Sequence, residues 1–253
     1  VKEIPFTEAV ERIVGRAAER PPISCTRQQP ERTKALLLPQ ASRCATHAIE
    51  YLHRRGIDDE LIDFCIRTGR LYESYPHHNV VFVGKDKDGQ PRYACLRGIG
   101  TDFKGEATGS DKRFSFSIPA EEPSPVLYLF ESAIDLLSFA TMAQEDKLPW
   151  RAQHLLSLAG VYQPKKNLTE RPLPLALSQY LRDHREIQTI YLCLDNDLAG
   201  RSAADAIRQQ LAGRYVVLDG FPCQGKDYND WLCLRKGLPI TRTVSKPERS
   251  MAR

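Results

Sequence analysis

No two of the seven cysteines form a Cys-x-x-Cys pair, and their number is odd. Cys25, Cys44, Cys65, Cys95, Cys193, Cys223 and Cys233 therefore describe neither a disulfide framework nor a cysteine-rich zinc site. Those inside apolar runs, such as Cys193 in IYLCLD, read as buried free thiols, and a reducing cytoplasm is the compartment expected. No apolar stretch approaches the ~18 residues that a membrane span needs, and no signal peptide opens the chain, so no membrane partner is expected. A strong excess of one charge is missing too. The formal net charge is only +4 with acids and bases interspersed, which excludes a basic arm as the ground for assigning a polyanionic partner. There is no internal repeat and no long low-complexity stretch. Val1 opens the chain, as expected of a fragment or a processed product. What is present is ordinary: 42% hydrophobic and 27% charged residues in a 253-residue chain. That suffices for a core without staples, in one large domain or two small ones.

The residue pattern changes character along the chain. Residues 5–20 carry Phe6, Ala9, Val10, Ile13 and Val14 at helical spacing behind Thr7 as an N-cap, and a polar, proline-bearing linker follows. ATHAIEYLHRRG, stopped at Gly56, and DDELIDFCIRTG, opened by Asp58 and stopped at Gly69, predict a helix pair. Two strand-like runs flank Asp88-Gly89, a hairpin signal, and FKGEATGSDKRFSFSIP is another extended stretch. From Val126 the rhythm becomes strand–helix–strand–helix, which predicts a parallel sheet with helices on its faces. The expected domains are an N-terminal helix and linker over 1–30, an α+β domain over 31–122, an α/β domain over 123–236 and a loose basic tail over 237–253.

Ligands of a parallel sheet bind beyond the carboxyl ends of its strands, and acids fall there. The strand VLYLFE ends in Glu131, with Asp135 one helical turn on. IQTIYLCLDND ends in Asp195-Asn196-Asp197, and after YVVLDGF come Lys226-Asp227-Tyr228-Asn229-Asp230. Glu131 alone reads as an N-cap, and Asp195 with Asp197 alone as a capped turn. Three groups at three strand ends need more, because crowded carboxylates repel one another unless a cation neutralises them. Hard oxygen donors without histidine or thiolate suit Mg²⁺ or Mn²⁺ and phosphoryl transfer.

FESAID, then LDNDLAGRSAADAI some sixty residues later, then GKDYNDWL resemble the Toprim domain of bacterial DNA primases, topoisomerases, nucleases and recombination mediators. The resemblance implies that Glu131, Asp195 and Asp197 are catalytic, that they hold Mg²⁺ or Mn²⁺ together with Asp227, and that Asp135, Asn229 and Asp230 support them. Ser132 stands where the primase pattern has glycine, and Asn229 where it has a second acid. More weakly, AIEYLHRRGIDDELIDFCIRTGRL is similar to the opening of a primase RNA-polymerase domain. By that likeness Arg97, Lys104, Lys112, Arg113 and Lys226 would hold nucleic-acid or nucleotide phosphates. The cysteines and histidine of a primase zinc ribbon are absent, so no zinc is expected in this chain. The whole is most similar to primase-like Toprim proteins of plasmids and conjugative elements in bacteria. It implies primer synthesis from NTPs on single-stranded DNA, with a helicase or relaxase as a further partner. A Toprim nuclease and a non-catalytic DNA-binding accessory module are the alternatives. A topoisomerase is disfavoured, because no separate domain carries a nucleophilic tyrosine.

Other features read blandly. His77-His78 is expected to be a solvated turn without a partner acid at ligand spacing. Tyr93 and Phe103 read as core, with base stacking as the alternative. Trp231 is expected to pack the last helix onto the sheet. Gly109-Ser110-Asp111-Lys112 fits an anion-binding turn and a plain hairpin equally well.

Overall fold

A computed structural model describes residues 35–160 and 173–240. The helix expected at 5–20 and most of the tail after Gly237 lie outside the described residues.

The helix pair forms as its spacing dictates. Helix α1 (Thr46–Arg54) buries Ala48, Tyr51 and Leu52, and α2 (Asp59–Arg67) buries Leu61, Ile62 and Cys65. Both sets fall at i, i+3 and i+4 spacings on one face. The Asp58 side chain accepts the Glu60 N–H and caps α2. Next come four antiparallel strands in order β1-β2-β3-β4: β1 (Leu71–Glu73), β2 (Val80–Lys85), β3 (Pro91–Arg97) and β4 (Lys104–Glu106). The turn between β2 and β3 passes through Gly89 at φ +77°, the left-handed conformation such a turn requires.

A second sheet has the order β5-β7-β6-β8-β9, with β5 (Ser117–Ile118), β6 (Val126–Phe130), β7 (His154–Ser157), β8 (Thr189–Cys193) and β9 (Val216–Asp219). β6, β7, β8 and β9 run parallel, and β5 is antiparallel to β7. The stretch before the linker thus splits its loyalties. β4 closes the first sheet, whereas β5 joins the second, a pairing that a two-residue strand cannot signal in sequence. Helices α3 (Ala133–Glu145), α4 (Leu175–Asp183), α5 (Leu198–Leu211) and α6 (Tyr228–Lys236) alternate with the strands. This is the α/β architecture expected, preceded by an α+β segment.

Alternation within each strand feeds two cores. Leu127 and Leu129 of β6 and Ile190 and Leu192 of β8 face a cluster with Ala176, Leu177 and Tyr180 of α4 and Ala203, Ala204 and Ile207 of α5. Phe130 and Cys193 face the other side, where they meet Leu136 and Leu137 of α3, Tyr228 and Leu232 of α6, and Ala48, Leu52, Leu61 and Ile62 of α1 and α2. Strands buried on both faces are nearly continuous apolar runs for this reason. α3 is covered by the sheet on one side and by the helix pair on another, so ten of its thirteen residues are buried, where the sequence offered no one-sided stripe.

After β6 the chain passes to β7 on one side and then, through α4, to β8 on the other. The crevice at this reversal of strand order is where open α/β sheets bind ligands. Phe130 pairs with Cys193, so β6 and β8 end level and open their next residues onto that crevice.

Candidate active site

Three helix N-termini meet the carboxyl edge of the second sheet, and each is capped by a residue of the acidic motifs. Ser132 caps α3 through the Asp135 N–H, Asp197 caps α5 through the Gly200 N–H, and Asp227 caps α6 through the Asp230 N–H. The N–H groups and dipoles of helix N-termini favour anions. Gly200 is required for this closure: a Cβ there would stand 2.1 Å from the Asp195 carbonyl oxygen. Gly225 serves the neighbouring loop, at φ +76° and too close to the Asp230 Cβ to carry a side chain. The Asp230 carboxylate accepts the Lys226 N–H at 3.1 Å, and the Asn196 N–H donates to the Lys226 carbonyl at 2.7 Å, which ties the two acid-bearing loops together.

Glu131 follows β6 directly. Burial, then the charges of Asp195 and Asp135, push its carboxyl up to about 8, against the pull of Lys226. Asp135 is buried. Burial first, and the charge of Asp227 next, raise it to about 7, although the Ser132 hydroxyl donates to it at 2.5 Å and the Asn229 N–H at 3.3 Å. Asp227 is raised by burial as well. Lys226 answers this excess of negative charge. Its Nζ lies 3.0 Å from Asp195 and 3.2 Å from Asp197, and the bond to Asp195, ahead of the other contacts, raises its own pKa. Asp197 moves the other way, held below the usual carboxylate range first by the Gly200 N–H and also by Lys226.

The first sheet contributes cations. Arg97 and Lys104 are register partners on β3 and β4. Lys104 is depressed by burial and by the charges of Arg97, Lys226 and Arg55, with Glu131 opposing, so these groups share one electrostatic neighbourhood. Lys112 and Arg113 go elsewhere. They occupy a single 3-10 turn at Lys112–Phe114, where Lys112 pairs with Glu106 at 2.9 Å and Arg113 grips Asp111. Ser110 stitches the preceding turn to Ala94 of β3, so Gly109–Lys112 is a structural turn.

Sequence reasoning missed Arg55, which closes α1. Asn229 is buried and donates to the Arg55 carbonyl at 2.8 Å and to the Ser138 hydroxyl at 3.0 Å, while its Oδ1 accepts from the Arg55 guanidinium at 3.0 Å. A carboxylate could not make both donations, which accounts for the departure from a second acid here. His78 is not a free solvated turn residue. Its Nδ1 lies 2.5 Å from Glu73, a buried carboxylate that His47 also reaches. The six-residue return from β1 to β2 brings His78 back to Glu73, and His47 reaches it from α1. Tyr93 is core, as expected, but Phe103 is 49% exposed. Trp231 packs against the core while Tyr228, beside Phe130, is the more buried of the two.

Comparison with known proteins agrees with this architecture. Residues 128–232 match a family model described as Toprim-like, and residues 50–122 one described as a protein of unknown function, DUF3991. The chain therefore carries a Toprim-like domain. It is 29% identical over 203 residues to the 65 kDa protein of Zymomonas mobilis, a match covering 76% of this chain and 32% of that one. The chain thus spans about a third of that relative's length. The primase fragment of the bacteriophage T7 primase-helicase protein superposes with a TM-score of 0.52 at 21% identity, covering 81% of this chain and 78% of the other. The E. coli primase catalytic core gives 0.50 at 17%, covering 77% and 70%. The fold is that of bacterial and phage primase catalytic cores. No helix among the described residues is long and apolar enough to cross a membrane.

Proposed function

We propose that this chain is a primase-like nucleotidyltransferase that uses Mg²⁺ or Mn²⁺ to build a short primer from NTPs on single-stranded DNA, in the service of a plasmid or mobile element. The observation that carries the reading is the convergence of Glu131, Asp195 and Asp197 at the switch point, with the Lys226 ammonium seated between the two aspartates.

The donor set fits a hard divalent cation. The ligands are all carboxylate oxygens, burial and mutual repulsion raise Glu131 and Asp135, and a lysine ammonium stands in for the missing positive charge. Glu131, Asp195 and Asp197 would hold the ion, with Asp227 beside a second. When bound, it supplies neutralisation of the charge on the transferring phosphoryl group. The remaining work falls to the chain. The Glu131 carboxylate would take the proton of the attacking 3′-hydroxyl as its oxygen bonds the α-phosphorus of the NTP and the bond to the β-phosphate breaks, releasing pyrophosphate. Lys226, released from the aspartates, binds a phosphate oxygen. Arg97 and Lys104 hold template or nucleotide phosphates without reading sequence, and the exposed Phe103 ring next to Lys104 offers a stacking face to an unpaired base. Residues 31–122 would act as the α+β domain that carries these cations, and 123–236 as the Toprim domain. Lys112 and Arg113, engaged by Glu106 and Asp111, would reach a phosphate only by leaving those partners. A helicase or relaxase remains the further partner proposed.

The test incubates the protein with single-stranded DNA, Mg²⁺ or Mn²⁺ and labelled NTPs beside a Glu131→Gln control. New short labelled oligonucleotides, absent from the control, are expected. DNA cleavage without NTPs would make the protein a nuclease. DNA binding indifferent to Mg²⁺, with no product, would make it an accessory module.

A further inference from the structure

The proposed reaction occupies one end of the five-stranded sheet. At the opposite end, where β7 begins, lies a second group of ligating side chains that the reaction does not use. His154 opens β7 and is 2% exposed. His184 follows the last turn of α4, and Glu186 comes two residues later, before β8. His154 Nε2 and His184 Nδ1 each lie 3.3 Å from the same oxygen, Glu186 Oε1.

Three observations point to a cation. The first is spacing: donors in tetrahedral array at bond lengths of about 2.0–2.1 Å stand about 3.3 Å apart. The second is a buried polar atom that faces the Glu186 oxygen at 3.3 Å without making an aligned hydrogen bond to it. Among the described residues His154 Nε2 is sealed from solvent without an aligned hydrogen-bond partner, although buried polar atoms are nearly always satisfied. The third is the outer nitrogen. His154 Nδ1 lies 3.0 Å from the buried Tyr180 hydroxyl. An Nδ1–H donated to that oxygen leaves the lone pair on Nε2, directed at the gap before Glu186, as the outer partners of metal-bound histidines do. The Ala120 N–H donates to Nδ1 at a longer 3.4 Å in the other tautomer, so metal binding would select the Nδ1–H form.

We propose that His154, His184 and Glu186 bind one zinc ion, with a solvent molecule as fourth ligand on the side where His184 and Glu186 are partly exposed. Imidazole with carboxylate is a borderline donor set that selects zinc over the hard cations suited to the acid edge. The effect of the ion is mechanical: it staples the start of β7 to the connection between α4 and β8. The similar trio His47, Glu73 and His78 lacks these marks. There both Nδ1 atoms crowd one Glu73 oxygen, at 2.9 and 2.5 Å, and the other oxygen takes the Ala48 N–H, so its hydrogen bonds are already made.

The full chain, stripped with EDTA, is titrated with Zn²⁺ against a chromogenic chelator and, separately, with Co²⁺ for the visible bands of a tetrahedral site. One equivalent is expected, with a higher melting temperature. The double variant His184→Ala/Glu186→Gln, altered only at partly exposed positions, loses that equivalent yet melts like the stripped wild type. Tyr180→Phe weakens binding about 10- to 100-fold. Glu131→Gln/Asp195→Asn at the other end of the sheet, and His47→Ala, keep the equivalent. A wild-type chain that binds no equivalent, or a double variant that binds as tightly as wild type, overturns the assignment.

Discussion

The two ends of one sheet are built on opposite principles. The carboxyl end gathers acids from three strand-to-helix junctions, where helix N-termini soften their repulsion and Lys226 fills the remaining charge deficit. The amino end gathers two imidazoles and one carboxylate from a strand start and a helix exit. Strand direction decides which is which. Short loops leaving parallel strands enter helices through capping positions, and Ser and Asp are the residues that cap, so acids accumulate there at little conformational cost. No such bias acts where helices end. The difference teaches that chemical specialisation at the two ends can be set by chain direction before any ligand arrives.

The largest effect that would break this comparison lies in the acid cluster. Asp195→Asn should lower metal-dependent product formation about 1000-fold, the several kcal/mol that a catalytic cation supplies. Its melting temperature without metal should be unchanged or higher, because one repelling charge is gone. Full activity in a gel assay would remove the acid edge from the chemistry. Asn229→Asp comes next. It restores an acid but deprives the Arg55 carbonyl and the Ser138 hydroxyl of their donor in a buried site, so urea unfolding should show a loss of about 3 kcal/mol. An unchanged midpoint would mean that Asn229 is not the link between α1 and the acids.

A smaller effect tests the charge imbalance. Glu131 titrates at about 8 and Asp135 at about 7 in the folded chain, both above their ordinary values. Between about pH 4 and 8 the unfolded chain has released these protons and the folded chain still holds them, so stability falls as pH rises through that window. In EDTA the melting temperature should drop by a few degrees from pH 5 to pH 8, and Mg²⁺ should restore it at pH 8. A flat profile would mean that Lys226 already balances the site. The smallest effect concerns binding. Lys104→Ala should weaken single-stranded DNA binding severalfold and make the salt slope shallower by about 0.7, the share of one phosphate contact. Arg113→Ala should leave that slope unchanged, measured by fluorescence anisotropy.

The acid edge was legible because strand ends and caps are local signals: Glu131, Asp195 and Asp197 each sit within a few residues of the element that positions them. Arg97 and Lys104 share a neighbourhood with those acids, whereas Lys112 and Arg113, on the same alternating stretch, turn away to Glu106 and Asp111. A charge pattern tells that a face is polar, not what stands opposite it. The Arg55–Asn229 link joins residues 174 apart, and nothing local announces it. The histidine clusters escaped for the same reason. A search for closely spaced cysteines finds no zinc ligands, and His154, His184 and Glu186 acquire a common focus only when β7 and the end of α4 are packed side by side.

The shared core has a consequence for dissection of the chain. Phe130, Leu136, Tyr228 and Leu232 lie in one cluster with Leu52, Leu61 and Ile62, and β5 borders β7 from the far side of the linker. A fragment starting at residue 123 would lose its edge strand and lay bare an apolar face, an invitation to aggregate. The smallest piece to express as a soluble Toprim unit therefore begins before α1, not at the linker.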